Sequence, residues 1–128
     1  MGAAPDPPRA VRALIVDDEP DLRLLLRTML DLDQRIEVAG EAGDGGEALE
    51  RYAELSPDVV LLDLRMPVLD GFEVAARILR DRPDQAIILF TAFLDDSIQQ
   101  QALALGVRSV VGKGQIDSLA AEIVRVAA

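Results

Sequence analysis

Apolar residues fall along this chain in two alternating rhythms. Continuous short runs occur at Ala13-Leu14-Ile15-Val16, Val59-Val60-Leu61-Leu62 and Ile87-Ile88-Leu89-Phe90. Runs of that length without polar alternation fit strands buried on both faces. Two further stretches read as strands, Arg35 to Ala39 with Ile36 and Val38 set among charges, and Val107 to Val111. Between them the apolar spacing becomes helical. Asp21 to Asp31 carries Leu22, Leu25, Leu26 and Met29, which are expected to face the core. Asp44 starts a helix through about Glu54, with Ala48, Leu49 and Tyr52 on one face. Gly71 to Arg80 follows a loop from Leu64 to Asp70. Asp96 to Leu105 stops at Gly106, a good residue just past a helix end, and Ile116 to Val126 closes the chain. Five strand-helix pairs with short loops predict an α/β domain, a mostly parallel sheet with helices on both faces.

The 128 residues are enough for one domain and one core. Met1 to Ala10, with three prolines, reads as a floppy lead, and 11–128 as the domain. No apolar run nears the ~18 residues of a membrane span, and the lead lacks the apolar stretch of a signal peptide, so a cytoplasmic location is expected. Absence of cysteine excludes disulfides and thiolate metal sites, and absence of histidine excludes catalytic triads and a phosphohistidine on this chain. A net charge of −10 disfavours binding of nucleic acid or anionic lipid by this domain. The excess is uneven: residues 1–64 hold 15 acidic and 6 basic side chains, and residues 65–128 hold 8 and 7. Twelve of the basic residues are Arg, leaving Lys113 as the one lysine.

Ligands of open parallel sheets bind beyond the carboxyl ends of the strands, where the strand order reverses. The predicted strands end in Asp17-Asp18, Asp63, Thr91 and Lys113. Taken singly these have plain explanations. Asp18 suits a helix N-cap ahead of Pro20, Thr91 a loop hydroxyl, and Lys113 a solvated surface position. Asp63 is harder to dismiss, because an acid closing a buried strand costs desolvation unless it is paired. Together they make three carboxylates, a hydroxyl and an ammonium on one edge. Clustered carboxylates repel unless a cation neutralises them, and such oxygen donors suit Mg²⁺. A cation beside a carboxylate, a hydroxyl and a lysine is what phosphoryl transfer requires, with Asp63 as a candidate nucleophile. The glycine-rich stretch Gly40 to Gly46 matches neither nucleotide-loop pattern and reads as a turn followed by an Asp44 N-cap.

Val16-Asp17-Asp18-Glu19-Pro20, Asp58 to Pro67 with Asp70-Gly71, Thr91-Ala92 and Gly112-Lys113 resemble the receiver domain of bacterial two-component response regulators, over residues 12 to about 126. The resemblance implies a flavodoxin-like (βα)5 fold, a doubly wound parallel five-stranded sheet in the order 2-1-3-4-5. It implies that Asp63 is the phosphoacceptor, taking its phosphoryl group from a phosphohistidine of a sensor histidine kinase or phosphotransfer protein. Asp18, Asp63 and the backbone carbonyl of Arg65 would be direct Mg²⁺ ligands, and Asp17 would act through water. Thr91 would be the switch hydroxyl, Ala92 would leave room for the phosphoryl group, and Lys113 would pair with it. By the same resemblance the domain would be a phosphoacceptor catalysing its own phosphorylation and dephosphorylation rather than an enzyme acting on other molecules.

Two positions depart from the family pattern. Gly114 stands where the family commonly has a cis-linked proline; a cis bond without proline costs about 3 kcal/mol, so a trans Lys113–Gly114 bond is expected. Val110 stands where a Tyr or Phe commonly serves as a switch, with Phe93 as a candidate substitute. Two other functions compete. A haloacid-dehalogenase-type phosphohydrolase wants D-x-D after the first strand and a cap insertion, whereas this chain reads Asp17-Asp18-Glu19 with no segment long enough for a cap. A degenerate receiver would act as a phosphorylation-independent interaction module. The loops look like receivers that precede a LuxR-type helix-turn-helix, which leaves open a single-domain receiver, a fragment of a DNA-binding regulator, and dimerisation on phosphorylation.

Overall fold

The computed structural model describes residues 9–128. The expected lead over 1–10 therefore lies, for residues 1–8, outside the described residues. Strand β1 (Val11–Val16), helix α1 (Pro20–Asp31), β2 (Ile36–Ala42), α2 (Gly45–Leu55), β3 (Val59–Leu62), α3 (Gly71–Asp81), β4 (Ala86–Thr91), α4 (Asp96–Leu105), β5 (Ser109–Gly112) and α5 (Leu119–Ala127) follow in order, with a 3-10 stretch at Lys113–Ser118 before α5.

All neighbouring strands are parallel, in the order β2-β1-β3-β4-β5. This is the doubly wound flavodoxin-like sheet that the resemblance implied. Side chains alternate across it, as strand geometry demands. Leu14, Val16, Val60, Leu62, Ile87 and Leu89 face α2, α3 and α4. Ala13, Ile15, Val59, Leu61, Ile88 and Phe90 face α1 and α5. Two apolar layers thus bury the central strands β3 and β4 completely and leave the edge strands β2 and β5 half-buried in part, and burying each large aliphatic side chain contributes roughly 1.5–3 kcal/mol.

Several local expectations hold. Asp44 caps α2 by accepting from the Glu47 N–H at 2.8 Å, as expected; Asp70 and Asp95, for which no cap was expected, cap α3 and α4 in the same way. Gly106 ends α4 at φ 103, a backbone region that favours glycine. No cis peptide bond occurs among the described residues, so Lys113–Gly114 is trans as expected.

Four expectations need correction. Leu25 does not face the core: it is 53% exposed, and Leu30 is buried instead beside Leu26. Leucines at 22, 24, 25, 26, 30 and 32 surround α1, so spacing alone left its inner face ambiguous. Strand β2 runs on through Gly40-Glu41-Ala42 rather than turning there, because its register steps past Ala39 and keeps pairing with β1 to Val16. The last strand starts at Ser109, not Val107. The closing helix becomes regular only at Leu119, because Gln115 breaks helical geometry at φ −110, ψ 34.

Candidate functional site

The sheet register assembles the polar edge. Val16 pairs with Leu62, so Asp17 and Asp63 leave β1 and β3 side by side, and the Asp63 N–H donates to the Val16 carbonyl at 2.9 Å. Thr91 pairs with Gly112, which delivers Lys113 one residue further on. β1 lies between β2 and β3, so the chain order reverses at this point, where a parallel sheet opens its crevice. Behind Asp63, α3 starts at Gly71. A Cβ there would stand 2.4 Å from the Asp63 carbonyl oxygen, so only glycine lets the helix begin so close to that strand end.

Asp17, Asp18 and Asp63 each offer an oxygen within 4.8 Å of the others, and Asp17 and Asp63 are buried while Asp18 is exposed. The N-cap of α1 is Glu19, without a side-chain bond, so the capping role considered for Asp18 is not what the structure has. Lys113 extends its ammonium to 2.9 Å from Asp17 Oδ2 and 3.4 Å from Asp63 Oδ1. Asp17 Oδ1 accepts from the Glu19 N–H at 2.9 Å, whereas the buried Oδ2 has the ion pair with Lys113 but no directed hydrogen bond. One ammonium therefore contacts two of the three clustered carboxylates, and Asp18 has no cationic partner among the described residues.

The charge imbalance appears in the acids and bases themselves. Burial, reinforced by the Asp17 charge and opposed by Lys113, pushes the Asp63 carboxyl from 3.8 up to about 6. For Lys113, burial pulls the pKa down, but the Asp17 and Asp63 carboxylates outweigh it and raise the ammonium above its ordinary value. An underneutralised trio of hard oxygen donors with a buried, undirected oxygen fits a small divalent cation.

Thr91 is buried at the end of β4, and its Oγ1 accepts from the Phe93 N–H at 3.1 Å, closing the turn that leaves Ala92 exposed. Phe93 is also exposed, and the Arg65 guanidinium lies 4.6 Å from its ring centroid. This contact ties the loop after β3 to the loop after β4, and no sequence signal pointed to it. Val110 pairs with Leu89 and packs half-buried on the α2, α3 and α4 side. The structure thus brings Asp17, Asp18, Asp63 and Lys113 into one cluster, sets Thr91, Ala92, Phe93 and Arg65 on the flanking strand end and loops, and leaves Val110 inside the sheet layer.

Residues 13–124 match the family model described as the response regulator receiver domain. The chain belongs to that family. The receiver is 41% identical over 113 residues to the transcriptional regulatory protein LiaR of Bacillus subtilis, across 88% of this chain and 52% of LiaR. It is 38% identical over 109 residues to a protein-glutamate methylesterase/protein-glutamine glutaminase of Syntrophomonas wolfei, across 82% of this chain and 31% of that protein. A LuxR-family two-component response regulator from Aurantimonas superposes with a TM-score of 0.88 at 28% identity, covering 93% of this chain and 86% of that one. The receiver spans between about a third and a half of the length of these two curated relatives, whose names describe different outputs. No helix among the described residues is long and apolar enough to cross a membrane.

Proposed function

We propose that this receiver domain, residues 11–128, is a Mg²⁺-dependent phosphoacceptor in two-component signalling, and that Asp63 carries the phosphoryl group. The observation that carries the reading is the cluster itself: buried Asp63, pushed to about 6, beside Asp17 and Asp18, with the chain's single lysine in contact. The donor is a phosphohistidine of a sensor histidine kinase or phosphotransfer protein. An Asp63 carboxylate oxygen attacks phosphorus in line; the new O–P bond forms as the N–P bond breaks, and the imidazole nitrogen keeps that electron pair. Asp18, Asp63 and the Arg65 backbone carbonyl would hold the cation, with Asp17 acting through water. When bound, Mg²⁺ supplies positive charge to the phosphoryl oxygens.

The remaining roles belong to the chain's own groups. Lys113 balances Asp17 and Asp63 before transfer and pairs with a phosphoryl oxygen afterwards, a task for a point charge on a flexible stem. Thr91 gives up its turn bond to donate its hydroxyl to the same group, and exposed Ala92 keeps the approach open. Phe93, in place of an aromatic side chain at the Val110 position, marks where the change passes on from Thr91 to the rest of the fold. In this reading the domain turns over its own phosphoryl group, acts in the cytoplasm without binding nucleic acid itself, and switches contacts with a downstream protein, an attached output domain of the LuxR type, or a second copy of itself.

Incubation with Mg²⁺ and acetyl phosphate tests the reading by intact mass. The expected result is a gain of about 80 Da that EDTA and Asp63→Asn both abolish. Absence of that gain with acetyl phosphate and with a phosphohistidine donor would overturn it in favour of a phosphorylation-independent interaction module.

A further inference from the structure

Asp17 is held on every side that its peptide groups offer. Its N–H donates to the Ala42 carbonyl at 3.1 Å, and its Oδ1 accepts from the Glu19 N–H at 2.9 Å. Its carbonyl accepts a third bond, from Nη1 of Arg23 on α1, at 2.6 Å. The Arg23 side chain is 21% exposed, and its Nε lies 3.4 Å from Oε1 of Glu41 on β2. The second Glu41 oxygen accepts from Arg27 Nε at 2.8 Å. Gly43 flanks the guanidinium, where a Cβ would stand 3.2 Å from Nη1.

The carbonyl that Arg23 holds belongs to the peptide joining Asp17 to Asp18. Its orientation constrains where both Cα–Cβ bonds point. That matters most for Asp18, whose exposed carboxylate has no hydrogen bond or ion pair among the described residues and is placed by its backbone alone. A bond to a guanidinium is charge-assisted and directional, so it suits this task. We propose that Arg23 is a positioning residue for the acidic cluster: it clamps the Asp17–Asp18 peptide between α1 and Glu41 and so sets the cluster's affinity for a divalent cation. This rests on the reading of the cluster as a cation site.

The positive charge of Arg23 gives the test its power, because the two effects of that side chain oppose each other. As a charge near the cluster it repels a cation, and its removal would tighten binding. As a clamp it preorganises the donors, and its removal weakens binding, as removal of the groups that support metal ligands does elsewhere. Mg²⁺ titration calorimetry on the whole chain reads the sign without any phosphorylation step. Arg23→Ala is expected to raise the dissociation constant about tenfold, with part of the loss recovered in Arg23→Lys. Arg27→Ala, which loses only the Glu41 contact, is expected to leave the affinity at the wild-type level.

Equal or tighter binding in Arg23→Ala would overturn the proposal, as would an equal loss in Arg27→Ala. Gly43→Val crowds Nη1 from the β2 side and is expected to weaken binding too; it decides the matter should Arg23→Ala fail to fold. A wild-type chain that binds no Mg²⁺ would instead refute the cation-site reading on which the proposal stands.

Discussion

The two edges of this sheet treat buried polar groups in opposite ways. At the amino edge every buried side-chain polar group among the described residues is answered. Buried Gln85 donates from Nε2 to the carbonyls of Pro57, Asp58 and Ala86 at 3.1–3.3 Å, and its Oε1 accepts from the Tyr52 hydroxyl at 2.8 Å. Arg12 reaches the Leu55 carbonyl at 2.7 Å, and Arg108 bridges the carbonyls of Val126 and Asp84 at 2.6 and 2.7 Å. At the carboxyl edge one ammonium contacts two of three clustered carboxylates, one buried oxygen lacks a directed donor, and burial pushes the Asp63 carboxyl up to about 6. The first arrangement minimises the cost of burying polar atoms; the second holds that cost in reserve for a ligand to relieve. Both edges belong to the same strands, so the difference lies in which residues open and which follow each run, at the two ends of one sheet.

Substitutions can break this contrast. The largest effect is expected at the amino edge, where Gln85→Ala strips donors from three carbonyls and an acceptor from Tyr52. A loss of about 3 kcal/mol in urea unfolding is expected, the same with and without Mg²⁺. Lys113→Gln comes next, costing about 2 kcal/mol near neutral pH by leaving Asp17 and Asp63 uncompensated. Here Mg²⁺ should restore much of the loss, and a Mg²⁺-independent loss would make the two edges alike.

Asp63→Asn reverses the sign. Its carboxyl is raised above the unfolded value, so the ionised form costs stability; that cost is present above about pH 6 and disappears as pH falls toward 4. Without Mg²⁺ the variant should therefore be more stable by about 1 kcal/mol at neutral pH, with the gain fading through the pH 6 to 4 window in thermal melts. The smallest effect belongs to Val68 in the loop after β3. It sits at φ 73, a left-handed region costly for a β-branched residue, while the Leu69 N–H donates to the Pro67 carbonyl across it at 2.9 Å. Val68→Gly should gain roughly 0.5 kcal/mol, and a loss would show that the side chain's packing outweighs the strain.

The sheet was legible because a parallel strand buried on both sides must be apolar at every position, so β1, β3 and β4 announced themselves and their terminal acids with them. The acidic cluster and Lys113 were legible because strand ends in such a sheet share an edge. Less of the rest had a one-dimensional trace. α1 carries leucine on several faces, so Leu25 could not be told from Leu30. β2 continues through Gly40 because of its pairing with β1, a partner that local composition does not name. Arg23 was invisible for a deeper reason: it binds a backbone carbonyl, which every residue possesses, so no residue type marks the contact. The Arg65–Phe93 stack likewise joins loops whose approach only the sheet order dictates.

The most direct measurement is the titration of the Asp63 carboxyl by carbon-13 NMR, with and without Mg²⁺. A titration near pH 6 in the cation-free protein, moved well below the ordinary carboxylate range by saturating Mg²⁺, is the predicted result. A midpoint near 4 that ignores Mg²⁺ would mean that the carboxyl edge is as settled as the amino edge, and would contradict the account.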